Sequence, residues 1–285
     1  MSSGGIGCCR PTFRRTRTSA KIQTRGVVNK RPRPAGWGQM DNIFVGYDSR
    51  EDEAFRVCEA SLYGHAARDI GVMALKHREL RLAGLFTRPW RVDGPTGQYI
   101  DERDGRPFST EFSHTRFLTP AIARATGVKS KWVLFCDCDF LFMRPVKELF
   151  DLADDKYAVM VCKHEHVPSE LTKMDGVAQT TYKRKNWSSL ALWNIEHPAN
   201  EGLHRAANER SGSYLHGFEW LPDELIGALP PEWNWIENVV PKTLIPKAVH
   251  YSVGGPWFDK YKDVAYAADW IIARDAMRRS MCKIR

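Results

Sequence analysis

Apolar runs that end in polar or glycine residues recur along this chain and predict alternating strands and helices. The run at residues 43–47 ends at Asp48, and apolar residues then follow at three- and four-residue spacing, at Phe55, Cys58 and Leu62. An uninterrupted apolar run followed by this spacing is typical of a strand, a turn and an amphipathic helix. The first part of the chain therefore predicts a β-α unit.

The clearest strand prediction lies in the middle of the chain. Trp132 to Cys136 is apolar on both faces, as are central strands of parallel sheets. Polar, Gly- and Pro-rich residues at 90–107 predict a surface loop. The remaining predictions are strands at 71–75, 158–162 and 190–193, a helix at 109–125 bent near Pro120, and a helical segment at 223–228. This order of elements predicts an α/β fold with a mostly parallel sheet.

Composition adds that the chain can bury a substantial core and that it lacks membrane signals. The 285 residues are 43% hydrophobic, and no run approaches the roughly 20 apolar residues of a spanning helix. Seven scattered cysteines without a Cys-x-x-Cys pair indicate neither a disulfide framework nor a structural zinc site. Reduced thiols and the absence of a secretory signal predict a cytoplasmic protein.

The net charge of +8 is concentrated at one end of the chain. Residues 1–39 hold nine Lys or Arg and no Asp or Glu, which is the composition of a disordered basic arm. Met40 directly precedes the first strand, so translation from Met40 is an alternative that would leave the arm out. We expect a catalytic domain at 40–270 and a basic C-terminal tail at 271–285. An arm of this charge could also bind nucleic acid.

Two aspartates stand at the end of the central strand. Residues two apart in an extended chain point to the same side, so Asp137 and Asp139 can direct both carboxylates to one point while Cys138 faces away. This strand end is the edge where open α/β sheets bind ligands. Carboxylate oxygens suit Mg²⁺ or Mn²⁺, which complete their shells with substrate phosphates. The pair therefore predicts a diphosphate-binding metal site.

Further short motifs follow in an order that resembles a known enzyme family. They are Thr115-Arg116-Phe117, Trp132 to Asp139, Asn186-Trp187-Ser188-Ser189, Asp223-Glu224, Leu229 to Asn234, and His250 with Gly254-Gly255-Pro256-Trp257. Order and spacing over residues 41–262 resemble the GT-A fold glycosyltransferases, especially family 8, which includes glycogenin and bacterial lipopolysaccharide galactosyltransferases. The resemblance implies a Rossmann-like α/β/α sandwich with a mixed, mostly parallel sheet. It also implies transfer of a hexose from a nucleotide-sugar, preferably a UDP-sugar, with retention, to an acceptor that the sequence leaves unidentified.

The resemblance also implies a role for each matched residue. His250 would be the third ligand, with Asp137 and Asp139, of Mn²⁺ or Mg²⁺. The donor would contact residues beside the metal and in four other segments: Tyr47, Asp48, Arg116, Asp137, Cys138, Ser188, Ser189, Gly254 and Gly255. Asp223, Asn186 and Arg116 would act at the sugar near the reacting carbon. Where the family has Asp-Gln, this chain has Asp223-Glu224, so the role of the second position stays open.

Two other classes of protein compete with this hypothesis. A nucleotidyltransferase also uses paired carboxylates with Mg²⁺, but residues 46–52 lack the phosphate-binding Gly-rich loop that it ordinarily has near the first strand. The second class is a nucleic-acid-binding protein, or a transferase acting on modified nucleic acid, that uses the arm at residues 1–39. Deleting the arm discriminates between this second class and a transferase that does not need nucleic acid.

Overall fold

A computed structural model describes Met1 and the residues 40–165 and 184–282. The chain divides into two units, Met1–Pro32 and Arg33–Arg285, and every element described below belongs to the second. The basic arm predicted at residues 1–39 lies outside the described residues except for Met1. No helix among the described residues has both the length and the apolar composition needed to cross a bilayer.

The described elements alternate between strands and helices from residue 41 to residue 82, and three strands then follow one another before the next helix. The strands are β1 (Asp41–Gly46), β2 (Ile70–Leu75), β3 (Trp90–Val92), β4 (Tyr99–Asp101), β5 (Arg106–Phe108), β6 (Trp132–Cys136), β7 (Phe140–Phe142), β8 (Val159–Val161), β9 (Leu190–Asn194), β10 (Ile226–Ala228) and β11 (Ala248–His250). The helices are α1 (Asp52–Gly64), α2 (His77–Leu82), α3 (Thr119–Ala125), α4 (Lys147–Phe150), α5 (Leu203–Glu209), α6 (Gly212–His216) and α7 (Ala267–Cys282).

A six-stranded mixed sheet forms the centre of the unit, in the order β10-β8-β9-β6-β1-β2. All neighbouring pairs are parallel except the two that involve β9, which runs antiparallel to both β6 and β8. The strands β6 and β9 are buried along their whole length, which explains why their sequences are apolar on both faces. The predicted mixed, mostly parallel sheet is confirmed.

Two groups of helices pack around this sheet. α3 contacts β6, β9 and α5, whereas α1 contacts β1, β7 and α7. A second, smaller buried cluster lies where α1 meets β7, β11 and α7, and it includes Val57, Leu141 and Trp270. Residues 271–282 of the predicted basic tail continue α7, and residues 283–285 lie outside the described range.

The loop prediction for residues 90–107 is wrong. β3, β4 and β5 form an antiparallel three-stranded sheet that extends over most of this segment. Aromatic rings hold it together: Trp90 packs edge-on against Tyr99 at 4.9 Å and against Phe108 at 5.6 Å between ring centroids. Three-residue strands separated by Gly and Pro show too few alternations for a strand pattern to emerge, so side-chain packing decides the structure here.

Two helix predictions also need correction. Residues 223–228 form a 3₁₀ turn, Asp223–Leu225, followed by the edge strand β10. A short apolar segment does not distinguish helix from strand, and pairing with β8 decides the outcome. At residues 109–125 a 3₁₀ turn, Thr115–Leu118, precedes α3, and Pro120 lies in the first turn of α3, where the missing N–H costs nothing.

Candidate functional site

Two reversals of chain direction bring the candidate site together at one edge of the sheet. Cys136, the last residue of β6, pairs with Leu190, the first of the antiparallel β9, so the residues before β9 meet those after β6. The Asp137 backbone N–H donates to the Ser189 carbonyl at 2.9 Å. The short ladder of β7 and β11 then pairs His250 with Phe140.

Asp137, Asp139 and His250 form a three-residue cluster at this edge. One ligand atom of each lies within 4.8 Å of those of the other two, and all three residues are buried. The Nε2 atom of His250 is 3.4 Å from Oδ1 of Asp139. In residues 40–165 and 184–282, no other group of His, Cys, Asp or Glu side chains meets this criterion for a metal site.

Asn234 orients the His250 ring. The side-chain NH₂ of Asn234 donates to Oγ of Ser189 at 3.0 Å and to the carbonyl of Asn186 at 3.2 Å, which identifies the other end of the amide as the acceptor. That acceptor, Oδ1, is 2.8 Å from Nδ1 of His250, so Nδ1 carries the proton. The lone pair of Nε2 therefore faces Asp139, which is the tautomer a metal-binding histidine needs.

The His250 ring also stacks on Phe140, with centroids 4.4 Å apart and planes inclined by 12°. Cys138, between the two aspartates, is fully buried in the main core, and burial raises the pKa of its thiol. The predicted extended chain ends at Cys136, because residues 138 and 139 form a turn, and Cys138 packs in the core while both aspartates reach the three-residue cluster. Asp137 and His250 of this cluster also line a cavity.

Arg116 contributes a buried positive charge beside this cluster. Its Nη1 lies 3.0 Å from Oδ1 of Asp137 and donates to the carbonyl of Ser188 at 3.1 Å. Its guanidinium also lies 5.2 Å from the centroid of the Phe112 ring. The carboxylate of Asp137 thus has a cation within contact distance before any ligand binds.

A cavity opens directly on the cluster. The sequence-predicted residues that line it are Arg116, Asp137, Asn186, Ser188, Ser189 and His250. Lys185 and His216 line it too, and the sequence pattern did not single them out. Nδ1 of His216 is 2.8 Å from Oγ of Ser188. Lys185 follows Lys183 and Arg184, and such a run of basic residues normally indicates a solvated surface, yet Lys185 is buried.

The remaining predicted donor residues are placed elsewhere. Asp48 is fully buried and accepts hydrogen bonds from the backbone and guanidinium of Arg50 and from the Glu111 N–H. The hydroxyl of Tyr47 donates to Asp52 at 2.9 Å, and burial together with this bond raises its pKa to about 12. Neither residue lines the cavity beside Asp137.

The glycine pair and Asp223 also lie outside the residues that line this cavity. A Cβ atom at Gly255 would lie 1.9 Å from the Trp257 ring, and one at Gly254 would lie 2.5 Å from the Tyr261 ring. The Asp223 carboxylate is exposed and forms an ion pair with Arg184. The donor contacts assigned to these three residues stay predictions.

The sheet order and the placement of the site define a GT-A α/β fold, and solved structures agree. The chain superposes over 88% of its length on the apo structure of WbbM, a bifunctional glycosyltransferase, with a TM-score of 0.56 and 16% identity. It superposes over 86% on the glycosyltransferase GlyE of Streptococcus pneumoniae TIGR4, with a TM-score of 0.52 and 10% identity. The chain spans 52% of WbbM and 64% of GlyE.

Sequence comparison identifies the family. The chain is 46% identical to Protein CDI of Arabidopsis thaliana over 235 residues, which are 80% of this chain and 84% of the relative. The chain therefore belongs to the family of Protein CDI. No protein-family profile matches it.

Proposed function

We propose that this protein is a glycosyltransferase that transfers a hexose from a nucleotide-sugar, in the first instance a UDP-sugar, to an acceptor. The observation that carries the proposal is the cluster of Asp137, Asp139 and His250 at the ligand-binding edge of a GT-A sheet. The structural similarity to solved glycosyltransferases supports the fold. The three-residue cluster supports the transfer reaction, because it can hold a cation beside a diphosphate.

The three side chains fit a divalent cation. Two carboxylate oxygens and one imidazole nitrogen suit Mn²⁺ or Mg²⁺, so Asp137, Asp139 and His250 would hold the cation where it could also meet the donor diphosphate. The orientation of Nε2 toward Asp139 is the observation in this protein that favours a ligand role for His250. When bound, the cation supplies positive charge that stabilises the departing diphosphate.

Residues of the chain itself would position the donor. Arg116 lies beside Asp137 and can hold a phosphate oxygen or the sugar, because a guanidinium offers several donors in one plane. Asn186, Ser188 and Ser189 line the same cavity and offer hydroxyl and amide groups for the sugar hydroxyls. Burial of Arg116, Ser188 and Ser189 excludes water and strengthens their interactions.

The test is a donor screen with purified full-length protein. UDP-glucose, UDP-galactose, UDP-xylose and GDP-mannose are incubated with Mn²⁺, with Mg²⁺ or with EDTA, and release of free nucleotide is measured. We expect slow hydrolysis of one donor that requires the cation. In the double variant Asp137→Asn, Asp139→Asn we expect a loss of more than about 100-fold, since outer-shell partners of metal ligands alone are worth roughly 10- to 100-fold.

A matched control removes two carboxylates elsewhere. Glu196 and Glu201 are exposed, lie outside the cavity, and change from carboxylate to amide in the double variant Glu196→Gln, Glu201→Gln. This variant should hydrolyse the donor at the rate of the unmodified protein. If no donor is hydrolysed, and calorimetry shows no cation-dependent binding of UDP or GDP, the proposal is wrong.

A further inference from the structure

The cavity beside the three-residue cluster has a second wall, whose residues are not among those proposed to hold the donor. This second wall comes from β4, β5 and α6 with the residues around them, and it includes Asp101, Asp104, Phe108, Ser109, His114 and Ser213. None of these six residues belongs to a motif identified in the sequence: Asp101 and Asp104 lie in the segment predicted as a loop, and Ser109 and His114 in the segment predicted as a helix. A two-substrate enzyme needs space for the acceptor next to the donor, and this wall lines the same cavity as the residues proposed to hold the donor.

The groups on the second wall favour a neutral ligand that carries hydroxyl groups. The carboxylates of Asp101 and Asp104 are balanced by Arg88, which bonds to Asp101 and lies 3.5 Å from Asp104, and by the exposed Arg106. Ser109 and Ser213 add hydroxyl groups. A wall without net charge gives no advantage to a phosphorylated or acidic acceptor.

Phe108 adds an aromatic surface to the same wall. Its ring is half-buried: it packs against Tyr99 with centroids 5.4 Å apart and stands edge-on to His114 at 5.3 Å. The packing fixes the orientation of the ring. An aromatic ring beside hydroxyl and carboxylate groups is the combination that binds a sugar ring, which has both C–H and O–H faces.

His114 is the nitrogen base of the wall, and Asp101 determines its tautomer. Nε2 of His114 lies 3.3 Å from Oδ2 of Asp101, which also accepts from Nε of Arg88 at 2.7 Å. The proton of His250 is held on Nδ1 by Asn234, whereas the partner that hydrogen-bonds to the His114 ring is the Asp101 carboxylate, so the proton of His114 belongs on Nε2. The other nitrogen, Nδ1, is then the acceptor, in the same arrangement by which an aspartate orients a catalytic histidine.

The charge state of His114 suits an acceptor of hydrogen bonds. Burial lowers its pKa, the Asp101 and Asp104 carboxylates oppose this shift, and Arg88 supports it. The ring is therefore neutral at physiological pH. Burial would raise the pKa of Asp101, but His114 and Arg88 outweigh burial and keep it low, so the carboxylate remains ionised.

We propose that this second wall is the acceptor subsite, that the acceptor is a neutral carbohydrate, and that Nδ1 of His114 accepts a hydrogen bond from an acceptor hydroxyl. The inference rests on the proposed glycosyltransferase function and adds the acceptor class to it. Asp101 is a positioning residue, because it acts through His114.

The experiment measures acceptor binding separately from donor binding. Saturation-transfer NMR on the full-length protein, with and without UDP and Mg²⁺, uses the α- and β-methyl glycosides of glucose, galactose, mannose and xylose as probes. N-acetylserinamide is a hydroxyl probe without a sugar ring. Calorimetry with UDP and Mg²⁺ on the same protein reports on the donor side.

Two substitutions of His114 distinguish the roles of its two ring nitrogens. In His114→Asn the amide lies near the position of Nδ1, so an acceptor remains there. In His114→Gln the amide reaches the position of Nε2 beside Asp101, and the acceptor at Nδ1 is lost. We expect at least one glycoside to bind and its affinity to fall about two- to tenfold more in the Gln variant than in the Asn variant, the value of one net hydrogen bond.

The control Glu102→Gln makes a carboxylate-to-amide change on an exposed residue of the same segment outside the cavity, and it should bind the glycoside normally. Equal weakening in the two His114 variants would overturn the hydroxyl contact. Binding of N-acetylserinamide but of no glycoside would overturn the carbohydrate class, and so would binding of neither probe. If the unmodified protein shows no cation-dependent UDP binding, the result would instead count against the proposed function.

Discussion

Asn234 orients one residue of the candidate metal site although it does not itself line the cavity. It bonds to Nδ1 of His250 on one side and to Ser189 and Asn186 on the other, and so joins three separate segments at the three-residue cluster. Outer-shell partners of this kind fix the ring orientation and tautomer of a ligand. Asn234 thus controls whether Nε2 of His250 faces the cluster.

Asn234→Leu should therefore weaken Mn²⁺ binding by roughly 10- to 100-fold, because the side chain keeps its size but no longer orients His250. Calorimetric titration of the protein with Mn²⁺ measures the affinity. Asn234→Asp is the matched control, since a carboxylate still accepts from Nδ1. An unchanged affinity in the Leu variant would show that the ring is held by its stacking on Phe140 alone.

At this scale the sequence predicts candidate metal-binding residues better than it predicts the residues that orient the histidines of the site. Asp137 and Asp139 were identifiable because an apolar strand precedes them, and His250 because of a resemblance. Asn234 ends a matched motif but had no assigned role, and His114 belongs to no motif: Asn234 meets His250 across 16 residues through a hydrogen bond, and His114 meets Asp101 through the β3–β5 sheet. Contacts of this kind arise from chain pairing, which a single sequence does not display.

In the loop after β11, side-chain packing explains why two positions are glycine, although a sequence motif suggests that they contact a ligand. The resemblance implies that Gly254 and Gly255 approach the donor phosphates. In the structure each glycine lies under an aromatic ring, Tyr261 for Gly254 and Trp257 for Gly255, with no room for a Cβ atom. Gly254 has a φ of +145°, which side-chain-bearing residues rarely adopt.

Gly255→Ala should destabilise the protein by about 1–3 kcal/mol, the usual cost of adding atoms to a well-packed site. Urea unfolding followed by tryptophan fluorescence gives the free energy of unfolding. Gly202→Ala is the control, because no atom lies within 4 Å of its Cβ position, and its stability should change by less than about 0.5 kcal/mol. Normal stability with weaker UDP binding in Gly255→Ala would instead support the phosphate contact.

The long apolar elements and β8 followed from the sequence, and β3, β4 and β5 did not. β1, β6 and β9 are buried over most of their residues and α1 buries one face, so their apolar pattern is strong. β3, β4 and β5 have three residues each and are stabilised by the ring cluster of Trp90, Tyr99 and Phe108. Periodicity needs more residues than these strands contain.

At the scale of the whole folded unit, buried histidines link stability to pH. Burial lowers the pKa of His114 and of His77 below the roughly 6.5 of an unfolded chain. Below about pH 6.5 the unfolded chain binds protons that the folded chain excludes, so stability falls as pH falls. Lys and ordinary carboxyl groups do not change charge between pH 7.5 and 5.5.

The free energy of unfolding should therefore be lower at pH 5.5 than at pH 7.5, by at most about 1.4 kcal/mol per histidine for each pH unit below the unfolded pKa. Urea unfolding at both values measures the difference. His114→Asn should reduce this pH dependence, whereas His65→Asn, at an exposed position, should leave it as it is. An identical pH dependence in the His114 variant would mean that folding does not lower the pKa of His114.

The positions of β9 and β11 in the sequence also determine when the three-residue cluster can form during synthesis. Asp137 and Asp139 leave the ribosome first, Ser189 follows, and His250 comes last. At typical translation rates, His250 follows Asp139 by roughly 5 to 20 s. During that interval the nascent chain has two carboxylates without their imidazole partner. If the proposed function is right, the growing chain binds the cation at full affinity only after His250 has been added. Cation binding should therefore stabilise the fold only in a chain translated past β11.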